Sequence, residues 1–224
     1  MADEEARPTL FTPEAGIGVP LAVAGFGFSV LVLGMANARW FNPAAIGFFV
    51  PVAMATGALC LLIGGLFEFR ANNTFGGTFA VAYAGFLLTT ALILRYYSPG
   101  IITLAGALAF GDAFGAWLLL WGVFTVLLSF GAYYINAPAF MAFVLLAAAY
   151  FLLGFANIMN PGDTVTFLTK LGGWVLIADG ICAWYLAWAA SLNSIVPNRL
   201  PLWPYPYAKA ETTTPPMQTP AVTA

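Results

Sequence analysis

A single carboxylate, Asp179, sits in the middle of "WVLIADGICAW" (residues 174–184), where every neighbour within five positions is apolar or glycine. An acid at that depth in a membrane costs roughly 2.5–3.5 kcal/mol on insertion scales, so it must find water, a donor or a proton. No Lys or Arg lies at matching depth in the chain's long apolar runs. The expectation is a carboxyl group that is protonated or linked to water. Two roles fit it: a proton site, or donation of one structural hydrogen bond to a facing hydroxyl or carbonyl. A second group of interest is "NNTFGGT" (residues 72–78). Asn73 and Thr74 immediately precede an apolar run, in the position of a helix N-cap, and Gly76 and Gly77 permit close approach of another backbone or a ligand. Taken by themselves, these residues read as helix capping.

Catalytic and metal chemistry have little to work with. The chain has no histidine, and its two cysteines, Cys60 and Cys182, lie in apolar runs without C-x-x-C spacing, so they read as small packing groups and no metal is expected. No Walker, dinucleotide-binding or nucleophile-elbow segment stands in a suitable context, and no nucleophile–base set lies in the apolar runs, so neither a cofactor nor an enzyme is expected. A net charge of −2 with scattered Lys and Arg forms no basic stripe and argues against a nucleic-acid partner.

What must position these residues is a membrane domain. With 62% hydrophobic and 7% charged residues and a mean hydropathy of +0.90, the chain lies far outside the makeup of a soluble domain. Runs of roughly 20 apolar residues can cross the ~30 Å hydrocarbon layer as helices. Six emerge, at about Gly18–Ala38, Pro43–Leu66, Phe75–Leu94, Ala113–Tyr133, Pro138–Asn157 and Leu171–Ser191. The fold class is therefore all-α integral membrane, with residues 1–16 as a solvated acidic tail, 17–195 as a six-helix domain and 196–224 as a Pro/Thr-rich tail bearing an aromatic anchor. The start lacks a basic n-region and an A-x-A site, so the first span is expected to act as the insertion signal. "PGIITLAGALAFGD" (99–112), between spans three and four, is Gly-punctuated and reads as an interfacial or re-entrant piece. Glu68 reads as a solvated interfacial partner of Arg70.

An even number of spans places both termini on one side of a cell membrane. Arg7, Arg70, Arg199 and Lys209 share that side, against Arg39, Arg95 and Lys170, which favours cytoplasmic termini under the positive-inside rule. "LGMANARWFNP" closes span one and "LGFANIMNP" closes span five, an echo that would place Asn37 and Asn157 at equivalent mouths of a pore. At 100° per residue, Trp174, Trp184 and Trp188 lie about 220°, 140° and 180° around the helix from Asp179. The aspartate shares its face with Gly172, Cys182, Ala183 and Ala190, small groups that let a neighbouring helix approach. It should look into the bundle while the tryptophans face lipid or another subunit.

"LFEFRANNTFGGTFAVAYAGF", with "PLAVAGFGF", "LLLWGVFTVLLSFG", "LLGFAN" and "GGWVLIADGICAWYLAWAASLN" in the same order, resembles the acetate uptake transporter family, also called the succinate-acetate permease family. The similarity covers nearly all of residues 18–195. It departs at the start of span one, where the family's N-P-A-P-L-G aligns with Ile17, Gly18, Val19, Pro20, Leu21 and Ala22, so that only Pro20 and Leu21 survive. Asp179 is not part of the family pattern. The resemblance implies a homohexamer in the lipid bilayer, each subunit with its own pathway for acetate or another small carboxylate, working as an anion channel or a proton-coupled transporter. It also implies a hydrophobic constriction formed by Phe26, Tyr83 and Leu146. With no fixed cation inside, an anion must be held by neutral donors. The candidates are helix N-termini, Ser29, Asn73, Thr74, Thr78 and the Tyr83 hydroxyl, with Gly76 allowing close approach and Asn37 and Asn157 at the mouths. A pore for a neutral solute such as ammonia or urea, and a membrane assembly or sensor protein without transport, are the alternatives.

Overall fold

The computed structural model describes residues 18–159 and 161–203, apart from the side chains of Pro43 and Ala44. The expected tail at 1–16 and most of the one at 196–224 lie outside the described residues. Six helices are long and apolar enough to cross a membrane: Val19–Asn37, Ala45–Arg70, Thr74–Ala105, Ala107–Tyr133, Ala137–Ile158 and Asp163–Ile195. They are called spans one to six. Among the described residues there is no strand. Local sequence starts several of them. Pro20 and Pro138 stand in first turns, where a missing donor costs little. Asn73 and Asn136 are N-caps whose side chains accept from Gly76 N and Ala139 N, both at 2.9 Å.

The spans pack as a ring in chain order, one against two, two against three, four against five, five against six, and six back against one. Small residues set a close seam between spans one and six. A Cβ on Gly34 would lie 2.9 Å from the Gly173 carbonyl oxygen, and one on Gly173 would meet the backbone at Asn37 and Ala38. The helices touch there backbone to backbone. Spans three and four meet differently, through side chains: Phe86 stands against Trp117 and Trp121, and Tyr83 against Trp121, with ring centroids 5.0–6.2 Å apart.

The segment read as re-entrant is helical. Ile93–Tyr97 forms a π-turn, Ser98–Ala105 continues as α-helix, and the break falls at Gly106, with φ 89° and ψ 161°, before span four begins. Pro99 does not end span three because Ser98 Oγ donates to the Leu94 carbonyl at 2.9 Å, supplying the bond that the proline nitrogen cannot make. At 1.5 Å per residue the resulting 32-residue helix is about 48 Å long, more than the hydrocarbon layer needs. Span two holds another π-turn, Val52–Ala58.

The start of the C-terminal segment is docked onto the bundle. Asn193 and Leu200 exchange two hydrogen bonds, Tyr185 Oη donates to the Pro201 carbonyl, Trp203 stacks on Tyr185, and the Trp203 carbonyl accepts from Ala137 N at 3.1 Å. The stretch expected to act as an aromatic anchor is packed against the beginning of span five.

Candidate functional site

Two cavities lie within the ring and meet at one side chain. The first, of about 150 Å³, is lined by Val19, Phe26, Asn73, Gly76, Tyr83, Asn136, Phe143, Leu146 and Asp179, among others. The second, of about 320 Å³, is lined by Val30, Asn37, Phe86, Tyr150, Asn157 and again Leu146, with further residues of the opposite helix ends. Leu146 is 4% exposed and borders both. Phe26 and Tyr83 line the first cavity with it, their ring centroids 5.9 Å apart. The three residues expected at a constriction therefore stand together.

The hydrogen-bond pattern decides what Tyr83 can offer. Its hydroxyl is 2.7 Å from Thr125 Oγ1, and Thr125 Oγ1 donates to the Trp121 carbonyl at 2.7 Å. The threonine's only hydrogen is thereby used, so Tyr83 is the donor of the shared bond. Tyr83 lines the cavity with no hydroxyl hydrogen left for an anion. The donor role expected of it is corrected on this ground.

The first cavity opens toward three helix N-termini, those of spans one, three and five, represented in its lining by Val19, Asn73 and Asn136. Their partial positive charge favours an anion. Asn73 caps span three through Oδ1 and donates from Nδ2 to Glu68 Oε2 at 2.6 Å. Glu68 itself is 2% exposed, and its other oxygen accepts from Val19 N at 2.9 Å. It is therefore not the solvated interfacial residue expected from its place beside Arg70; the missing cap at the start of span one draws it inward. Gly76 lines the cavity, and a Cβ there would lie 2.5 Å from Asn73 Nδ2 and 3.0 Å from Glu68 Oε2.

Other expected contacts are not brought here. Thr74 and Thr78 are exposed on the outside of the single subunit and line neither cavity. Ser29 is fully buried between spans one and two, its hydroxyl directed at the Gly25 and Val52 carbonyls, and it too lines neither. A span-one hydroxyl surrounded by apolar residues satisfies itself on backbone oxygens when no pore faces it. Asn37 and Asn157, paired only by a short sequence echo, both line the second cavity.

Asp179 is 0% exposed, lines the first cavity, and has no hydrogen-bond partner on either oxygen. Trp174, Trp184 and Trp188 are 52%, 40% and 59% exposed, on the opposite side of the helix as its pitch requires. Three residues of the site escaped the sequence reading. Asn136 carried a legible signal, an Asn two residues before a first-turn Pro. Tyr150 also carried one, lying one helical turn beyond Leu146 on the same face. Thr125 carried none. Among the described residues no cluster of His, Cys, Asp or Glu could hold a metal ion.

Comparison with known proteins places this geometry. The model of the GPR1/FUN34/yaaH family matches residues 8–202. The succinate-acetate/proton symporter SatP of Escherichia coli K12 is 30% identical over 174 residues, covering 78% of this chain and 87% of that protein. Ammonia transport outward protein 2 of Saccharomyces cerevisiae is 34% identical, covering 76% of this chain and 59% of that protein. Among solved structures, the bacterial acetate channel SatP superposes with a TM-score of 0.72 at 28% identity, covering 84% of this chain and 98% of that one.

Proposed function

We propose a function from the premise that this chain belongs to the GPR1/FUN34/yaaH family: it is a multi-pass membrane protein that transports small monocarboxylates of the acetate kind. The observation that carries the reading is the pair of cavities inside one subunit that share Leu146, with Phe26 and Tyr83 lining the first of them. The N-terminus of span five, which carries a neutral cap and no carboxylate, favours the anion there without a fixed cation. The apolar neck then makes it shed water, and such constrictions gate by dewetting. Asn37 and Asn157 receive it on the far side. A pathway complete within each subunit suits a homohexamer of parallel pores in the cell membrane, with both termini cytoplasmic. The neutral-solute alternative is not favoured, since the likeness to an acetate channel extends over 98% of that channel.

The test is uptake of labelled acetate into proteoliposomes at several pH values, with and without a membrane potential. Electrogenic flux indifferent to a proton gradient makes the protein a channel; accumulation driven by a proton gradient makes it a symporter. Absence of saturable or potential-driven acetate flux from well-folded protein ends the carboxylate reading.

A further inference from the structure

Three buried side-chain atoms among the described residues have no hydrogen-bond partner: both carboxyl oxygens of Asp179 and the hydroxyl of Tyr150. They are placed with a simple symmetry. Asp179, 0% exposed, lines the first cavity; Tyr150, 4% exposed, lines the second; the side chain between the cavities, Leu146, is one turn from Tyr150 on span five. Buried polar groups are almost always paired, and those left open in a native fold call for an explanation. Apolar packing leaves these two unexplained, because each residue lines a cavity and its polar atoms face neither a donor nor an acceptor. Resting on the transport reading above, we propose that Asp179 and Tyr150 are the substrate's hydrogen-bonding partners on the two sides of the neck, Asp179 sharing a proton with the carboxyl group before it and Tyr150 donating to that group beyond it.

The proton follows from charge. Two carboxyl groups in contact inside an apolar cavity cannot both be ionised. The substrate's carboxyl therefore meets Asp179 with one proton between them, held as O–H···O⁻ whichever group brought it; no covalent bond forms or breaks apart from that O–H. No other group near Asp179 can take over this duty. The other titratable residues lining either cavity are Tyr83 on span three and Tyr150 on span five, and Cys182 lies one turn along from Asp179 on its own helix. Tyr83 has given its hydrogen to Thr125. Span one carries no titratable residue. Those of span two (Cys60, Glu68, Arg70) and span four (Asp112, Tyr133) line neither cavity. Tyr150 acts without ionising. Its ring is held edge-on to Phe86 at 5.0 Å, which fixes the direction in which the hydroxyl points. The substrate class is accordingly a short acid whose one carboxyl group passes from an acid to a phenol.

The experiment compares labelled acetate flux against pH for wild type, Asp179→Asn and Tyr150→Phe in proteoliposomes. Asparagine keeps a donor but no exchangeable acid proton, so flux through Asp179→Asn persists while its pH dependence flattens. Tyr150→Phe loses one bond to a charged group, lowering flux roughly ten- to a hundred-fold with the pH profile unchanged. Folded variants that both keep the wild-type rate and profile overturn the proposal. If Asp179→Asn does not fold, infrared difference spectra of wild type on acetate addition decide for that residue: a shifted protonated-carboxyl band supports sharing of the proton, and an unchanged one refutes it. Wild type without acetate flux defeats the transport reading itself, whereas active wild type with indifferent variants defeats only this inference.

Discussion

Replacing Glu68 tests what holds the mouth of the first cavity in shape. Its carboxylate accepts from Val19 N at 2.9 Å and from Asn73 Nδ2 at 2.6 Å, tying the starts of spans one and three to the end of span two. A hydrogen bond to a charged group contributes about 1.5–3 kcal/mol net. Asn73 is exposed and can turn to water, so its bond counts at the low end; Val19 N, at the head of an apolar helix with no other cap, counts higher. Glu68→Ala should therefore cost about 3–4 kcal/mol. Glu68→Gln keeps an oxygen for Val19 but offers Asn73 only an amide N–H, and Asn73 cannot reverse because its Oδ1 already serves Gly76 N. About half the loss is expected. In chains of this size 1 kcal/mol moves the unfolding midpoint by about 2–4 °C on the scale known for soluble domains. The alanine variant should melt roughly 6–16 °C below wild type and the glutamine variant roughly half as far. Thermal unfolding of the detergent-purified protein, followed by circular dichroism, reads both. An alanine variant within about 2 °C of wild type, or a glutamine variant as damaged as the alanine one, would refute the clamp.

Three further outcomes follow from the packing. Thr125→Val strands the Tyr83 hydroxyl and should cost about 1–3 kcal/mol; adding Tyr83→Phe should restore part of that, and strictly additive melting shifts would show the pair is not coupled. Gly173→Ala drives a methyl into the backbone of span one, whereas Gly172→Ala meets only the movable side chains of Leu153 and Leu152. The first should cost about 1–3 kcal/mol more than the second, and equal stability in chemical denaturation would contradict the backbone seam. Widening the neck with Phe26→Ala or Leu146→Ala should raise flux of longer monocarboxylates relative to acetate, and an unaltered ratio in folded protein means these residues are not the constriction.

The number and order of the spans were legible because a bilayer imposes one length and one polarity on every crossing. Helix pitch was enough to turn Asp179 inward and its tryptophans outward. What the chain concealed were matters of partnership. Glu68 looked solvated because its neighbour in sequence is Arg70, while its partner in space, Val19 N, is 49 residues away. Ser29 and Thr78 looked like donors because hydroxyls can donate, but one is satisfied by its own helix and the other faces outward. The third span looked finished at Leu94, and only a π-turn with a neighbouring serine shows how its helix continues past Pro99. The neck residues came from family likeness; composition and periodicity alone did not separate Phe26 or Leu146 from ordinary packing.

The unlike contacts around the ring decide where it can yield. Spans one and six are pressed main chain to main chain, so separating them means moving whole helices against tight sterics. Spans three and four are held apart by Tyr83, Phe86, Trp117 and Trp121, and a ring can swing about its χ angles while both helices stand still. Any widening of the passage between spans three and four can therefore proceed through side chains alone, whereas widening it between spans one and six requires displacement of a whole helix.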